Sequence, residues 1–243
     1  MKRISLSFQR IDQSPIELVT KFHGFLMEQL ESTYVDWLHE QETNPYSMKV
    51  LHHKDQTTWT VHLLTEDAIK QILPPMLELK KVDLHGTATL TVQSMTMQDL
   101  SPEELFDLFN QNQDQSFFTI QFQTPTGFRS QGEYVFFPTL RLIFQSLMMK
   151  YGRLLENRED IEEETLDYLT SHSRITSYRM ETSYFKIHGK KIPAFKGKLT
   201  FKITGPSTLK AYANMLLKFG EYAGLGMKTS LGMGGIELEE RKY

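Results

Sequence analysis

Cysteine is absent from all 243 residues, which excludes disulfides, thiolate catalysis and cysteine-ligated zinc together. Also missing is any run approaching the roughly 18 uncharged apolar residues that a membrane-spanning helix needs, so no membrane association is expected. The first residues, Met1-Lys2-Arg3-Ile4-Ser5-Leu6-Ser7-Phe8, lack the apolar stretch of a signal peptide. They alternate apolar with polar side chains as a strand does, and a cytoplasmic protein is the expectation. Nor is there an overall excess of basic charge, because the formal net charge is −3.

What is present is unevenly spread. Residues 1–173 hold 14 Lys/Arg against 25 Asp/Glu, whereas residues 174–243 hold 13 against 5. A cationic C-terminal third can hold a polyanion by releasing counterions while the rest of the surface stays acidic and soluble. The alternative is that the asymmetry complements an internal surface or a partner protein. Apolar residues make up 40% and aromatic residues 12% of the chain, ample for a packed core.

The pattern of elements repeats. Residues 2–10 alternate like a strand, and Ser14-Pro15-Ile16-Glu17 supplies a helix N-cap, a first-turn proline and a capping-box glutamate. The helix that follows is expected to bend or break near Ser32-Thr33. Strands near Tyr46–His53 and Thr57–Leu64 come next, then a helix from Glu66 to about Leu73, stopped by Pro74-Pro75. Residues 84–94 are expected to be the closing strand. An acidic stretch over 99–115 reads as a linker between an N-terminal domain, 1–98, and a C-terminal domain, 116–243.

The same order recurs in the second unit. Phe117–Gln123 is a strand and Pro138–Tyr151 a helix. Thr176–Ile187 and Ala194–Ile203 form a hairpin, Ser207–Tyr222 a helix, and residues 235–239 a last strand. The acidic insertion Glu156–Thr170 reads as a solvated helix. Two βαββαβ units imply an α+β chain of two tandem ferredoxin-like folds, the class that includes the RNA-recognition module. That topology hosts many activities, so a site must decide function.

The most informative stretch is Gly224-Leu225-Gly226-Met227-Lys228-Thr229-Ser230-Leu231-Gly232-Met233-Gly234-Gly235, between the last helix and the last strand. Its glycines permit positive φ and close backbone approach, so successive N–H groups can cradle phosphate oxygens beside Lys228, with Thr229 and Ser230 as neutral donors. A P-loop needs glycine directly before Lys-Ser/Thr, but Met227 intervenes; the dinucleotide fingerprint needs glycine where Thr229 stands. Both motifs fail.

This loop resembles the C-terminal signature of CRISPR-associated repeat-RNA-processing endoribonucleases, members of the RAMP superfamily. Thr124-Pro125-Thr126-Gly127-Phe128-Arg129 is similar to the start of that family's second domain. Leu38-His39-Glu40 with Asn44-Pro45-Tyr46-Ser47 is similar to its histidine segment. The resemblance implies metal-independent cleavage of CRISPR repeat RNA by attack of a ribose 2′-OH on its own 3′-phosphate, leaving 2′,3′-cyclic phosphate and 5′-OH ends, with no cofactor. It implies CRISPR repeat RNA as partner and, for the product, a CRISPR effector complex, the chain itself acting as monomer or homodimer.

Such chemistry needs proton-transfer groups and cations for the developing phosphorane charge. His39 is the candidate because it stands where the family places its histidine; the competing reading is a helix-terminal residue favoured by the macrodipole. Family members often carry lysine where this chain has Asn44, and Lys49 is the candidate replacement cation, with Tyr34 as a possible assistant. Gly224, Gly226, Lys228, Thr229, Ser230, Gly232 and Gly234 are candidate RNA contacts, with Arg129 and Ser130. Lys190 and Lys191, on the lysine-rich hairpin, join them; an edge protected by charge is the alternative there. His23 reads as structural. A non-catalytic RAMP subunit that binds guide RNA, and a ferredoxin-like protein with a small anionic ligand, are the competing functions.

Overall fold

A computed structural model describes residues 1–111, 115–187 and 189–239, so residues 112–114 of the expected linker lie outside the described residues. Strand β1 (Lys2–Gln9) buries Ile4, Leu6 and Phe8 on one face and leads into α1 (Pro15–Glu28). The Ser14 side chain accepts from the Glu17 N–H, and Pro15 occupies the first turn, where no N–H is needed. Helix α1 ends at Glu28 and α2 (Ser32–Glu40) follows as a separate segment. Next come β2 (Tyr46–His52), β3 (Gln56–Leu63) and α3 (Glu66–Leu77), a short hairpin of β4 (Lys81–Leu84) and β5 (Ala88–Thr91), and β6 (Ser94–Asp99).

Helix α4 (Pro102–Gln111) precedes β7 (Phe117–Thr126). A small hairpin of β8 (Phe128–Ser130) and β9 (Glu133–Val135) then leads to α5 (Leu140–Tyr151), which runs into a π turn at Gly152–Glu156. Helix α6 (Glu163–Ser171), the long hairpin β10 (Ser173–Ile187) and β11 (Lys190–Ile203), α7 (Ser207–Ala223), a 3-10 turn at Thr229–Leu231 and β12 (Ile236–Leu238) complete the chain.

The two antiparallel sheets have the same order, β2-β3-β1-β6 and β10-β11-β7-β12. In each, the first strand of the unit lies between the third and the fourth, which is the ferredoxin-like arrangement expected from the repeated pattern. Two differences are instructive. The strand that closes the first sheet on β1 is β6, not residues 84–94, which instead contribute to the side hairpin β4–β5. Both stretches alternate, and only long-range pairing distinguishes them. Helix α3 also continues through Pro74 and Pro75 to Leu77. The carbonyls these prolines leave unpaired, on Lys70 and Gln71, belong to exposed residues that water can serve, and buried Met76 anchors the last turn.

The two units share an interface. Phe185, Ile192 and Ala194, from the far half of the β10–β11 hairpin, pack into the core of the first unit with Met233 of the glycine-rich loop. Burying Phe185, Ile192 and Met233 contributes roughly 1.5–3 kcal/mol each. Among the described residues no helix is long and apolar enough to cross a membrane.

Candidate nucleic-acid interface

The glycine-rich loop spends most of its backbone on itself and on the end of β7 with the adjoining Gly127. Leu225 N–H donates to Gly234 O (2.8 Å), Met227 N–H to Gly127 O (3.0 Å) and Gly234 N–H to Pro125 O (2.9 Å). Gly226 N–H donates to the Ser146 hydroxyl at 2.9 Å and Gly235 N–H to that of Thr124 at 2.8 Å. Glycine is required at the points of closest approach. A Cβ on Gly234 would lie 1.9 Å from Leu225 O, and one on Gly226 would lie 2.2 Å from Gly127 O, with φ at +71° and +74°.

Three consecutive amides escape this network. The N–H groups of Lys228, Thr229 and Ser230 find no acceptor among the described residues. Lys228 itself holds φ +55°, a left-handed conformation unusual outside glycine. This conformation turns the chain into the 3-10 segment, and successive unspent amides at such a turn can form an anion-binding concavity.

These amides edge an open groove of about 690 Å³. Its walls are the loop from Gly226 to Leu231, Arg129 and Ser130 of β8, α5 with Lys150, Arg153 of the π turn, and Glu42, Thr43 and Asn44, which follow α2. Asn44 ties the two domains directly, its Nδ2 donating to Ser230 Oγ at 3.3 Å. Behind it, the Tyr46 hydroxyl lies 3.1 Å from His23 Nε2 and close to the Ser230 hydroxyl. Burial lowers the His23 pKa to about 4, and the nearby charge of His39 pushes it the same way.

Comparison with known proteins decides the family. A curated relative from Streptococcus thermophilus, named CRISPR-associated endoribonuclease Cas6, is 59% identical over 242 residues, covering 100% of both chains. The chain belongs to the Cas6 family. It is an endoribonuclease. The family model described as CRISPR-associated endoribonuclease Cas6 matches residues 120–236. A Mycobacterium tuberculosis Cas6 is 34% identical over 223 residues, spanning 89% of this chain and 70% of the relative. Among solved structures, a Cas6 product complex superposes with a TM-score of 0.79 at 23% identity, covering 99% of this chain and 100% of that one. Thermus thermophilus Cas6 gives a TM-score of 0.67 at 18% identity over 98% of each chain. These two likenesses show that the Cas6 fold is shared.

Within this Cas6 fold the sequence-derived candidates separate. The structure brings Gly226, Lys228, Thr229, Ser230, Arg129 and Ser130 together around one groove. His39 stands exposed in the last turn of α2, just before Glu42, where that segment enters the groove wall. Gly224, Gly232 and Gly234 are buried and do not line the groove; Gly232 packs against Val19 of α1. Their role in the loop is to allow close packing, and they present no N–H to the groove.

Lys49 is not at the groove. In β2, Tyr46, Met48 and Val50 face the helices and core while Ser47 and Lys49 face the opposite side, so the sheet separates Lys49 from His39. The Lys49 ammonium donates to Gln123 Oε1 at 2.7 Å, and burial, then Arg3, lowers its pKa to about 8. Tyr34 stacks on Trp37 with ring centroids 5.4 Å apart and faces Asp67, and its hydroxyl is hard to ionise, chiefly through burial. It lines no part of the groove. Lys190 and Lys191 lie at the start of β11, beyond the residues that pack on the first domain, and Lys191 sits over the Tyr184 ring at 6.0 Å.

Sequence reasoning missed Lys150, Arg153 and the His23–Tyr46 pair. Lys150 and Arg153 lie at the C-terminal end of an apolar helix, where basic residues are ordinary, and nothing local distinguishes them. Among the described residues no three His, Asp or Glu side chains converge on a position that could hold a metal ion.

Proposed function

We propose that this enzyme cleaves CRISPR repeat RNA at the groove between the glycine-rich loop and the segment following α2. The supporting observation is the convergence on one groove of three acceptor-free amides, Lys228, Arg129 and the loop adjoining His39. The scissile phosphate binds at the Lys228–Ser230 amides, with the Lys228 ammonium and the Arg129 guanidinium compensating its growing charge. The ribose 2′-oxygen attacks the adjacent phosphorus and its proton passes to water. The bond from phosphorus to the 5′-oxygen breaks, and His39 supplies the proton that this leaving oxygen takes up. The products are a 2′,3′-cyclic phosphate and a 5′-hydroxyl, with the ribose as internal nucleophile and no metal required. Lys49 and Tyr34 have no part in proton transfer on this reading, because neither reaches the groove. Lys190 and Lys191 lie outside the reacting centre.

The test is single-turnover cleavage of repeat RNA in excess EDTA with both product ends mapped. Cleavage should persist, a single 2′-deoxy substitution at the cut site should abolish it, and His39→Ala should slow it by roughly 10²- to 10⁴-fold. Cleavage by His39→Ala at the wild-type rate would remove His39 from the mechanism, and 3′-hydroxyl products would remove the 2′-oxygen as nucleophile.

A further inference from the structure

Helix α5 continues beside the groove into the π turn, and the two carry one cation each, Lys150 and Arg153, that hold different parts of the groove wall. The Lys150 ammonium lies 3.3 Å from Ala223 O, 3.0 Å from Gly224 O and 3.2 Å from Thr229 Oγ1. It therefore closes the C-terminal end of α7, where carbonyl dipoles concentrate negative charge, and fastens that end to the turn bearing the free amides. Lys150 forms no ion pair with a carboxylate among the described residues. Arg153 reaches the other way. Its Nη1 donates to Thr43 Oγ1 at 3.2 Å, its Nη2 lies 2.8 Å from Glu42, and its Nε lies 3.4 Å from Glu159. Glu42 and Thr43 are the residues that carry the chain from the His39 helix into the groove wall.

His39 and the free amides come from separate domains whose sheets share no strand pairing. Within the groove, Asn44 donates to Ser230 Oγ at 3.3 Å and the Tyr46 hydroxyl lies close to the same oxygen. These neutral hydrogen bonds, about 1 kcal/mol each, and the packing of Met233 into the first core fasten the loop itself, but not the Glu42–Thr43 segment that follows His39. One rigid helix grasping both sides is a stiffer brace, and π turns recur at functional sites.

We propose that Lys150 and Arg153 are paired positioning residues: α5 uses them to set the gap between His39 and the Lys228–Ser230 amides. The inference rests on the nuclease reading above. It assigns neither side chain a contact with RNA. A misplacement of about 1 Å in such a gap costs on the order of 100-fold in rate.

The experiment compares Lys150→Met, Arg153→Met and Arg153→Lys with the wild-type protein, after urea unfolding has established that each is folded. Single-turnover cleavage at saturating repeat RNA should fall roughly 10- to 100-fold in both methionine variants. Affinity for RNA should stay within about threefold with its salt dependence unchanged, since no phosphate contact is lost. Arg153→Lys, which keeps the charge but loses the planar fork, should recover part of the rate. Hydrogen exchange should quicken around Glu42–Asn44 in Arg153→Met and around Thr229–Leu231 in Lys150→Met. If Lys150→Met unfolds, Lys150→Gln takes its place. Weaker binding with a shallower salt slope would overturn the proposal by making the two cations phosphate contacts, and an unchanged rate would overturn it outright. Should the wild-type protein cleave no RNA, the nuclease reading fails, whereas hydrogen exchange still decides whether these side chains hold the two segments.

Discussion

The Nε of Arg3 donates to Nε2 of His62 over 3.1 Å, and the other imidazole nitrogen meets Ser47 Oγ at 3.1 Å. Ser47 in turn donates to the carbonyl of Tyr222, on α7 of the second domain, and Arg3 lies 4.6 Å over the Tyr222 ring. With Arg3 donating to Nε2, the proton of His62 must sit on Nδ1, so the imidazole is neutral.

Protonation of His62 would oppose its complete burial first, then the charges of Lys49 and Arg3, and its pKa is accordingly held well below the ordinary value. A histidine depressed in the folded state binds a proton only in the unfolded chain, so its contribution is whole above about pH 6.5 and is lost as pH falls below that value. His23, at about 4, acts in the same direction. Denaturation between pH 7 and 5 should show stability falling by up to about 1.4 kcal/mol per pH unit for each histidine. His62→Gln should be less stable at pH 7 but lose stability about half as steeply; parallel profiles would remove His62 as the cause.

Glycine at 234 is a packing requirement. A methyl group there would collide with the Leu225 carbonyl in addition to occupying positive φ, whereas at Gly132, with φ +82°, nothing lies within 4 Å. Gly132→Ala should cost about 1 kcal/mol in urea unfolding, the conformational penalty alone. Gly234→Ala should cost about 3 kcal/mol or more, because backbone must also move. Equal losses would show that the loop is softer than its hydrogen bonds suggest.

Lys228 and Arg129 should each contribute to RNA affinity through phosphate. Replacing either with methionine should weaken binding across all RNA sequences and lower the slope of log affinity against log salt by roughly 0.7–0.9. A loss confined to one repeat sequence, with the slope intact, would mark the residue as a reader of bases.

Lys49 offers the complementary test. Because it is buried on the far side of its sheet and burial disfavours its charged form, Lys49→Met should leave the protein as stable as before, or more so, at pH 7. Single-turnover cleavage should stay within about threefold of wild type. A rate loss approaching that of His39→Ala would return Lys49 to the catalytic set.

The residues that declared themselves in the sequence did so through local physics. Ser14 caps α1 because its hydroxyl satisfies a first-turn amide, and the cap is present. Hydrophobic period and turn residues were enough for the repeated βαββαβ order. They could not separate β6 from the 84–94 stretch, since both alternate and the choice depends on which one β1 accepts as neighbour. The glycine-rich loop was conspicuous by composition, but which of its amides remain free was not, because Pro125, Gly127 and Ser146 that occupy the others are remote in the chain.

By itself the sequence determined the fold class, the family and the prominence of the glycine-rich loop, all of them written in short-range patterns of glycine, apolar side chains and caps. Tertiary structure alone decided that Lys49 turns away from the groove, that the Lys228, Thr229 and Ser230 amides find no acceptor among the described residues, and that Lys150 and Arg153 between them reach both walls. Strand alternation fixes a face only once the sheet has formed, and a hydrogen-bond donor is free only when the packed neighbours have left it so.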